Sequence, residues 1–324
     1  MKAFVTGGTG FIGSHLVDAL LEDSKWSEVK CLVRNREKWL TGKEYTRVKG
    51  DLHSISVLKQ ALHNVDVIFH LAGVVKAPSR KEFDYGNVEA TENLIRVAQK
   101  TGIGKIVVLS SLAAAGPSRD HPLTEEDPMK PVSQYGESKK KMEMMIHKLS
   151  SADSSITILR PPAVYGPRED QIYTYFKLVN KRISPVIGDG ETPRISMIYV
   201  SDLIRGIQRA AESPEPGIST YFITGPDIYN WNQIKNISSK VLGKKPVTLN
   251  IKPSWVKKLA GIFETTASFT GSYPAFNRDK ANEMVLEWTC SGEKAETELN
   301  YSPDVSLEEG ISRTLHWYKK HYWL

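Results

Sequence analysis

The stretch Lys2-Ala-Phe-Val-Thr-Gly-Gly-Thr-Gly-Phe-Ile-Gly13 restricts the fold of this chain more than any other part of it. Ala3, Phe4 and Val5 form an apolar run without polar alternation, the pattern of a strand buried on both faces of a parallel sheet. Gly7, Gly10 and Gly13 follow at three-residue spacing, and in residues 14–21 Leu16, Val17, Leu20 and Leu21 recur at helical intervals. Strand, glycine turn and helix are therefore expected in that order. Such a turn needs glycine because it is tight, because a pyrophosphate must approach bare backbone, and because the helix packs close on the strand. The helix N-terminus adds oriented N–H groups and a partial positive charge. On this basis Gly7, Thr9, Gly10, Phe11, Ile12 and Gly13 would cradle a dinucleotide, although an ordinary strand-to-helix turn has the same spacing.

The chain downstream repeats the alternation. Residues 29–33 read as a second strand ending at Arg34, with Arg36 close behind. An acid at this strand end bonds the adenosine ribose, whereas an arginine suits a 2′-phosphate, so NADP is expected in preference to NAD. The alternative is that Arg34 is a surface residue and that Glu37 or water serves the ribose. Residues 48–52 read as a third strand ending at Asp51, an acceptor for the adenine amino group, and 65–71 as a fourth that runs into Ala72 and Gly73. Small residues there let a ligand lie against backbone beyond the strand ends. His70, on a nearly all-apolar strand, is expected to be packed rather than catalytic.

Residues 87–101 form an amphipathic helix, and the strand 105–109 delivers Ser110 and Ser111. So many strand and helix alternations imply a doubly wound parallel α/β sheet. A polar, proline-rich loop over 116–133 is a candidate flap on the substrate. It leads into Tyr135-Gly-Glu-Ser-Lys139, where phenol and amine share one helix face. An ammonium beside a phenol lowers its pKa from near 10 and makes it a usable base. A sixth strand is expected at 156–159, then a rigid turn, Arg160-Pro-Pro-Ala-Val-Tyr-Gly-Pro167. Beyond it the alternation is irregular: a turn at Gly188-Asp-Gly190, a helix within 198–211, a short strand at 220–223 and an amphipathic helix at 306–318. Residues 1–167 are thus assigned to a dinucleotide-binding domain and 168–324 mainly to a smaller substrate-binding lobe, interleaved with the last strands of the sheet.

Composition narrows the partners. In 324 residues, 40% hydrophobic and 25% charged, no window approaches the ~18 apolar residues of a membrane span. The only cysteines, Cys31 and Cys290, are far apart and lack metal-ligand spacing. With the first strand starting at residue 2 and no disulfide framework, the expected location is the cytoplasm, and no metal is expected. A net charge of +6 is spread along the chain without the aromatic interleaving of a nucleic-acid platform. Residues 253–276 mix aromatics, lysines and small residues; they are expected to cover the substrate rather than lie on a membrane, where a cleaner charged face would be needed.

Three separated features agree: Thr6-Gly-Gly-Thr-Gly-Phe-Ile-Gly13, Ser110-Ser111 and Tyr135-x-x-x-Lys139. In this order, along essentially the whole chain, the sequence resembles the extended short-chain dehydrogenase/reductases, the group that includes the NAD-dependent epimerase/dehydratase family. The resemblance implies Tyr135 as acid/base, Lys139 as the group that lowers its pKa and bonds the nicotinamide ribose, and Ser111 as the hydrogen-bond donor to the substrate oxygen. It places Ser110, Ala72, Gly73, Pro161 and Val164 along the nicotinamide, Asp51 and Leu52 at the adenine, and Leu71 among the other cofactor-binding residues. It also implies a homodimer through the helices over 87–101 and 135–149, with which the apolar Met142, Met145 and Ile146 are compatible.

Departures from the family pattern bear on the reaction. Ala163 stands where sugar-nucleotide members carry an asparagine for the phosphates, and Leu112 and Ala113 stand where dehydratases carry an Asp-Glu pair. Arg168 occupies the place of a histidine used in some proton abstractions. Hydride transfer with one proton is what remains. Arg34 with Arg-Pro-Pro-Ala-Val-Tyr-Gly-Pro is similar to dihydroflavonol reductase-like and 3β-hydroxysteroid dehydrogenase-like members, which act on bulky apolar substrates. The leading expectation is a ketone/alcohol oxidoreductase using NADP or NAD on a small molecule. A nucleotide-sugar epimerase is the alternative, with Arg194 holding a phosphate, and a non-catalytic cofactor-binding assembly or sensor protein is a third.

Overall fold

In the computed structural model, residues 1–149, 155–213, 216–256, 258, 260 and 278–324 are described. The strands in chain order are β1 (Lys2–Thr6), β2 (Glu28–Val33), β3 (Thr46–Lys49), β4 (Val67–His70), β5 (Lys105–Leu109), β6 (Ser155–Arg160), β7 (Ala163–Tyr165), β8 (Ile183–Ile187), β9 (Ile195–Tyr199), β10 (Gly217–Phe222), β11 (Ile228–Tyr229) and β12 (Val247–Ile251). The helices are α1 (Phe11–Glu22), α2 (Ile55–Ala61), α3 (Arg80–Phe83), α4 (Ala90–Lys100), α5 (Leu112–Ala115), α6 (Gln134–Leu149), α7 (Gln171–Asn180), α8 (Val200–Glu212) and α9 (Trp231–Leu242), followed by Arg278–Met284, Glu293–Glu298 and Leu307–Lys320.

Seven strands form one parallel sheet in the order β3-β2-β1-β4-β5-β6-β10. This is the doubly wound Rossmann arrangement anticipated from the alternating pattern, and the order reverses between β1 and β4. Side-chain alternation along each strand divides the core between the two faces. Val5, Phe69 and Val107 pack with Leu16 and Leu20 of α1 and Leu203 and Ile207 of α8. Phe4, Ile68, Ile106 and Val108 pack with Leu58, Leu94, Ile95, Met142 and Ile146 on the other side. Because both faces are covered, β1, β4 and β5 read as unbroken apolar runs.

Several expectations are corrected. The third strand stops at Lys49, short of Asp51, because Asp51 turns the chain into α2 by accepting the His53 N–H and Ser54 hydroxyl, each at 2.9 Å. The helix predicted from Asn87 begins as a π turn, Asp84–Glu89, and becomes α-helical at Ala90. The helix expected within 198–211 is present as α8 from Val200, with Ile198 in the preceding strand β9. Met142 and Ile146 are fully buried within the chain, so neither is available to a dimer contact. The seventh strand, β10, comes from beyond residue 168 and pairs with β6. Smaller sheets, β11-β9-β7 and β12-β8, lie outside the main one. Among the described residues no helix is long and apolar enough to cross a membrane. The stretch 253–276 falls outside the described residues save for 253–256, 258 and 260.

Candidate active site

The β1–α1 turn is closed by Gly10 N–H donating to the Gly7 carbonyl at 2.9 Å. Gly7 has φ +76°, and a Cβ on it would sit 2.6 Å from the Ala72 nitrogen; one on Gly13 would lie 2.2 Å from the Gly7 oxygen. The turn therefore presses directly on the chain leaving β4. Gly10 is the N-cap of α1, with no side-chain cap and no acid in the first turn. Orphan N–H groups at such a terminus suit a phosphate.

A hydrogen-bonded chain fixes this crevice from below. Thr91 donates to the Asn87 carbonyl at 2.6 Å, so its oxygen accepts from His70 Nε2 at 2.8 Å. His70 Nδ1 then accepts the Thr6 hydroxyl at 2.7 Å, and the Thr6 oxygen receives the Ala72 N–H at 3.3 Å. His70 is buried, and desolvation pushes it down to about 3, with the Lys139 charge adding to the effect. It is a neutral packing residue, as its strand suggested.

Farther out, Arg34, Asn35, Lys49, Gly50, Asp51, Ser54 and Val57 line a cavity of about 430 Å³. The Ser54 hydroxyl and the His53 N–H hold the Asp51 carboxyl below its usual range. Arg34 is exposed at the rim, whereas Leu52 is buried among Leu58, Leu62 and Phe4. Bare backbone at the turn and a mixed-charge cavity beyond β2 fit a nicotinamide dinucleotide laid across the sheet's switch point.

At the other end, β5 delivers Ser110 and Ser111. Ser111 caps α5 by accepting the Ala113 N–H at 3.1 Å, and its hydroxyl is hydrogen-bonded to the Tyr135 phenol. Lys139 lies one turn along α6 from Tyr135. Its ammonium donates to the Leu109 carbonyl at 2.9 Å and is within 3.2 Å of where a Gly73 Cβ would be. Burial pushes Lys139 down to about 8, opposed by the Glu143 charge. Tyr135 is pushed up to about 12 by desolvation, which the Ser111 hydrogen bond only partly offsets. In this structure burial dominates at the phenol, and the Lys139 ammonium donates to the Leu109 carbonyl.

Ser110 is also corrected. Its hydroxyl donates to Glu143, which is held by Arg160 through Nε at 3.1 Å and Nη2 at 2.6 Å, so the side chain faces a buried ion pair and not the cleft. Arg160 lies over the Phe222 ring at 5.6 Å. Pro161 is buried and accepts the Leu112 N–H at 2.9 Å, and Val164 is half-buried on β7. Leu71, Ala72 and Gly73 line the β4 side, and Thr9, Phe11 and Ile12 are half-buried at the opening turn.

Two residues near Tyr135 carry no sequence motif. Asp279, on the helix Arg278–Met284, accepts the Gln134 N–H at 3.2 Å, and the charge of Glu283 further raises Tyr135. Both lie over 140 positions away in the chain, and only the fold brings them to α6. Arg194 is joined to Glu287 through Nε and Nη2, each at 3.1 Å.

The profile of the NAD dependent epimerase/dehydratase family matches residues 3–230. The ceramide reductase of Caulobacter vibrioides is 28% identical, over 99% of this chain and 95% of its own. The crystal structure of gox2253 superimposes with a TM-score of 0.82 at 25% identity, covering 99% of this chain and 98% of that one. MoeE5 in complex with UDP-glucose and NAD shares the fold, with a TM-score of 0.81 at 24% identity, over 99% of this chain and all of that one.

Proposed function

Because the chain belongs to the NAD dependent epimerase/dehydratase family, and is thus an NAD-dependent enzyme of the extended short-chain dehydrogenase/reductase type, we propose that it interconverts a ketone and an alcohol on a bulky apolar substrate. The observation that carries this choice is the two-point pairing of Arg194 with Glu287, which neutralises the one arginine expected to hold a sugar-nucleotide phosphate. Ala163, Leu112 and Ala113 support it, since none of them can hold a phosphate or move a proton. The likeness to a ceramide reductase supports a lipid carbonyl as the substrate class.

A nicotinamide dinucleotide held by the β1–α1 turn would supply or accept the hydride. In the reducing direction Tyr135 gives its phenolic proton to the carbonyl oxygen, which Ser111 holds by a hydrogen bond as charge develops there. Lys139 keeps positive charge beside the phenol as it becomes phenolate. Residues 168–324 supply most of the substrate-binding lobe, and Gly73 leaves room for the ammonium. NADP is preferred through Arg34, with Lys49 as a second cation in the same cavity.

A panel of carbonyl compounds, followed by NADPH absorbance, tests the proposal. Turnover of added cofactor in step with a carbonyl, lost in Tyr135→Phe, is the expected result. Interconversion of a UDP-hexose without net cofactor turnover would establish the epimerase instead. Arg34→Ala is expected to weaken NADPH by about tenfold, the worth of one charge-assisted phosphate contact, and NADH little; equal losses remove the case for NADP.

A further inference from the structure

Strands β8 and β12 pair in parallel, with Ile183 beside Val247 and Leu249 beside Pro185. Ser184 and Val186 are buried on the face turned to α7 and α9. The opposite face ends in open apolar surface: Ile183 is exposed, and Val247 and Leu249 are 66% and 48% exposed. Trp255, on the turn of helix after β12, is 56% exposed with the Lys258 ammonium over its ring at 5.3 Å.

The charge around this face is one-sided. Residues 228–256 hold five lysines, at 235, 240, 244, 245 and 252, and no aspartate or glutamate, and Lys258 follows. Lys181 and Arg182 add two exposed cations at the start of β8. Lys240 is taken up by Glu308 at 2.7 Å, but among the described residues Lys181, Arg182, Lys245 and Lys252 pair with no carboxylate. Of the acids nearby, Glu191 accepts from Asn230 and Asn232, and Asp189 sits past the far end of β8.

The face is also joined to the active site. Val256 and Ala260 pack with Ile187 and with Ala281. Ala281 lies on the helix Arg278–Met284, whose Asp279 holds the first N–H of α6 next to Tyr135.

We propose that this lysine-rimmed apolar face docks the protein on an anionic lipid bilayer, beside the wall of the cleft. Lysines alone would protect an edge strand from pairing, but that need leaves Val247, Leu249 and Trp255 in water for no gain. A bilayer interface takes both: tryptophan and aliphatic side chains enter the headgroup boundary while the cations meet anionic lipid. A second copy of the chain is a poor occupant, since two acid-free lysine stretches would face each other. The docking rests on this surface alone; only its use in presenting substrate rests on the apolar-substrate proposal above.

The full chain is sedimented with vesicles of phosphatidylcholine, alone or with about 30 mol % phosphatidylglycerol. Binding to the anionic vesicles only, lost in molar salt, is expected. The double variant Lys245→Gln/Lys252→Gln should bind about 30-fold more weakly, at about fivefold per cation. Leu249→Asp and Trp255→Ala should also weaken it, while NADH binding and the thermal transition of all the variants stay at parental values. Equal recovery with and without anionic lipid, or variants that pellet like the parent, overturns the proposal. So does a parental dimer in sedimentation velocity that Leu249→Asp dissociates, which would assign the face to a second copy. Vesicle binding with no turnover of any carbonyl removes the substrate proposal and leaves the docking standing.

Discussion

Lys139 is 3% exposed, and its ammonium has the Leu109 carbonyl as acceptor with Glu143 one helical turn on. Burial disfavours the charged form and brings the group down to about 8, so the ammonium is present below that pH and lost above it. Tyr135 moves the other way, to about 12, and stays protonated across the neutral range. In the reducing direction the alkaline limb of kcat/KM therefore belongs to Lys139 and lies near pH 8. Lys139→Arg, whose guanidinium stays charged, should move that limb upward; a stationary limb would assign it to another group. The same shift has a stability sign. The unfolded lysine titrates near 10.5 and the folded one at about 8, so the unfolded state binds more protons between them. Stability then rises with pH across that window. Lys139→Met removes the cost of burying the charge and should stabilise the fold by about 1–2 kcal/mol at pH 7 while abolishing turnover. Urea unfolding at pH 7 and again near 10.5, where the gain should vanish, checks it.

The β1–α1 unit separates glycines that serve the fold from one that serves the ligand. A Cβ at residue 13 would meet the Gly7 oxygen at 2.2 Å, whereas one at residue 10 would sit 3.3 Å from it. Gly13→Ala should cost about 2–4 kcal/mol by overpacking against backbone, seen as a lowered thermal transition. Gly10→Ala should keep the transition within a few degrees but weaken NADH in a fluorescence titration. Elements of this kind were legible because their signals are local: glycine spacing, apolar runs, and Tyr135 and Lys139 one turn apart. Beyond residue 168 the determinants are pairings between distant segments. The apolar run at residues 195–199 forms a strand only because β7 and β11 flank it, and β8 pairs with β12 across some 60 positions. Ser110 was placed on the right strand end, but its facing was decided by Glu143 and Arg160, which no spacing relates to it.

On the scale of the whole molecule, both halves of the chain converge on one phenol. The first half brings Ser111, Lys139 and the Phe83 ring, 6.2 Å from Tyr135; the second brings Asp279 to the N-terminus of α6 and the Glu283 charge to its side. The halves are held together by Arg168, which donates to Ser14 at 3.0 Å and to Asp18 at 2.8 Å, and by His15, bonded to the Pro167 carbonyl at 2.9 Å. The C-terminal aromatics close the same seam, with Trp317 at 5.7 Å from Trp39. A negative charge near Tyr135 disfavours the phenolate, so Glu283 sets the phenol toward donating a proton rather than taking one. Glu283→Gln keeps the side chain's size and removes that charge. Alcohol oxidation, which needs the phenolate, should then begin at lower pH, and its acidic limb should shift downward while the Lys139 limb of reduction stays in place. Rates in both directions across the pH range measure the two limbs separately. An oxidation profile identical to the parent's would place Glu283 outside the electrostatics of the reacting group and leave the Asp279 bond to the Gln134 N–H as the tie of the helix Arg278–Met284 to α6.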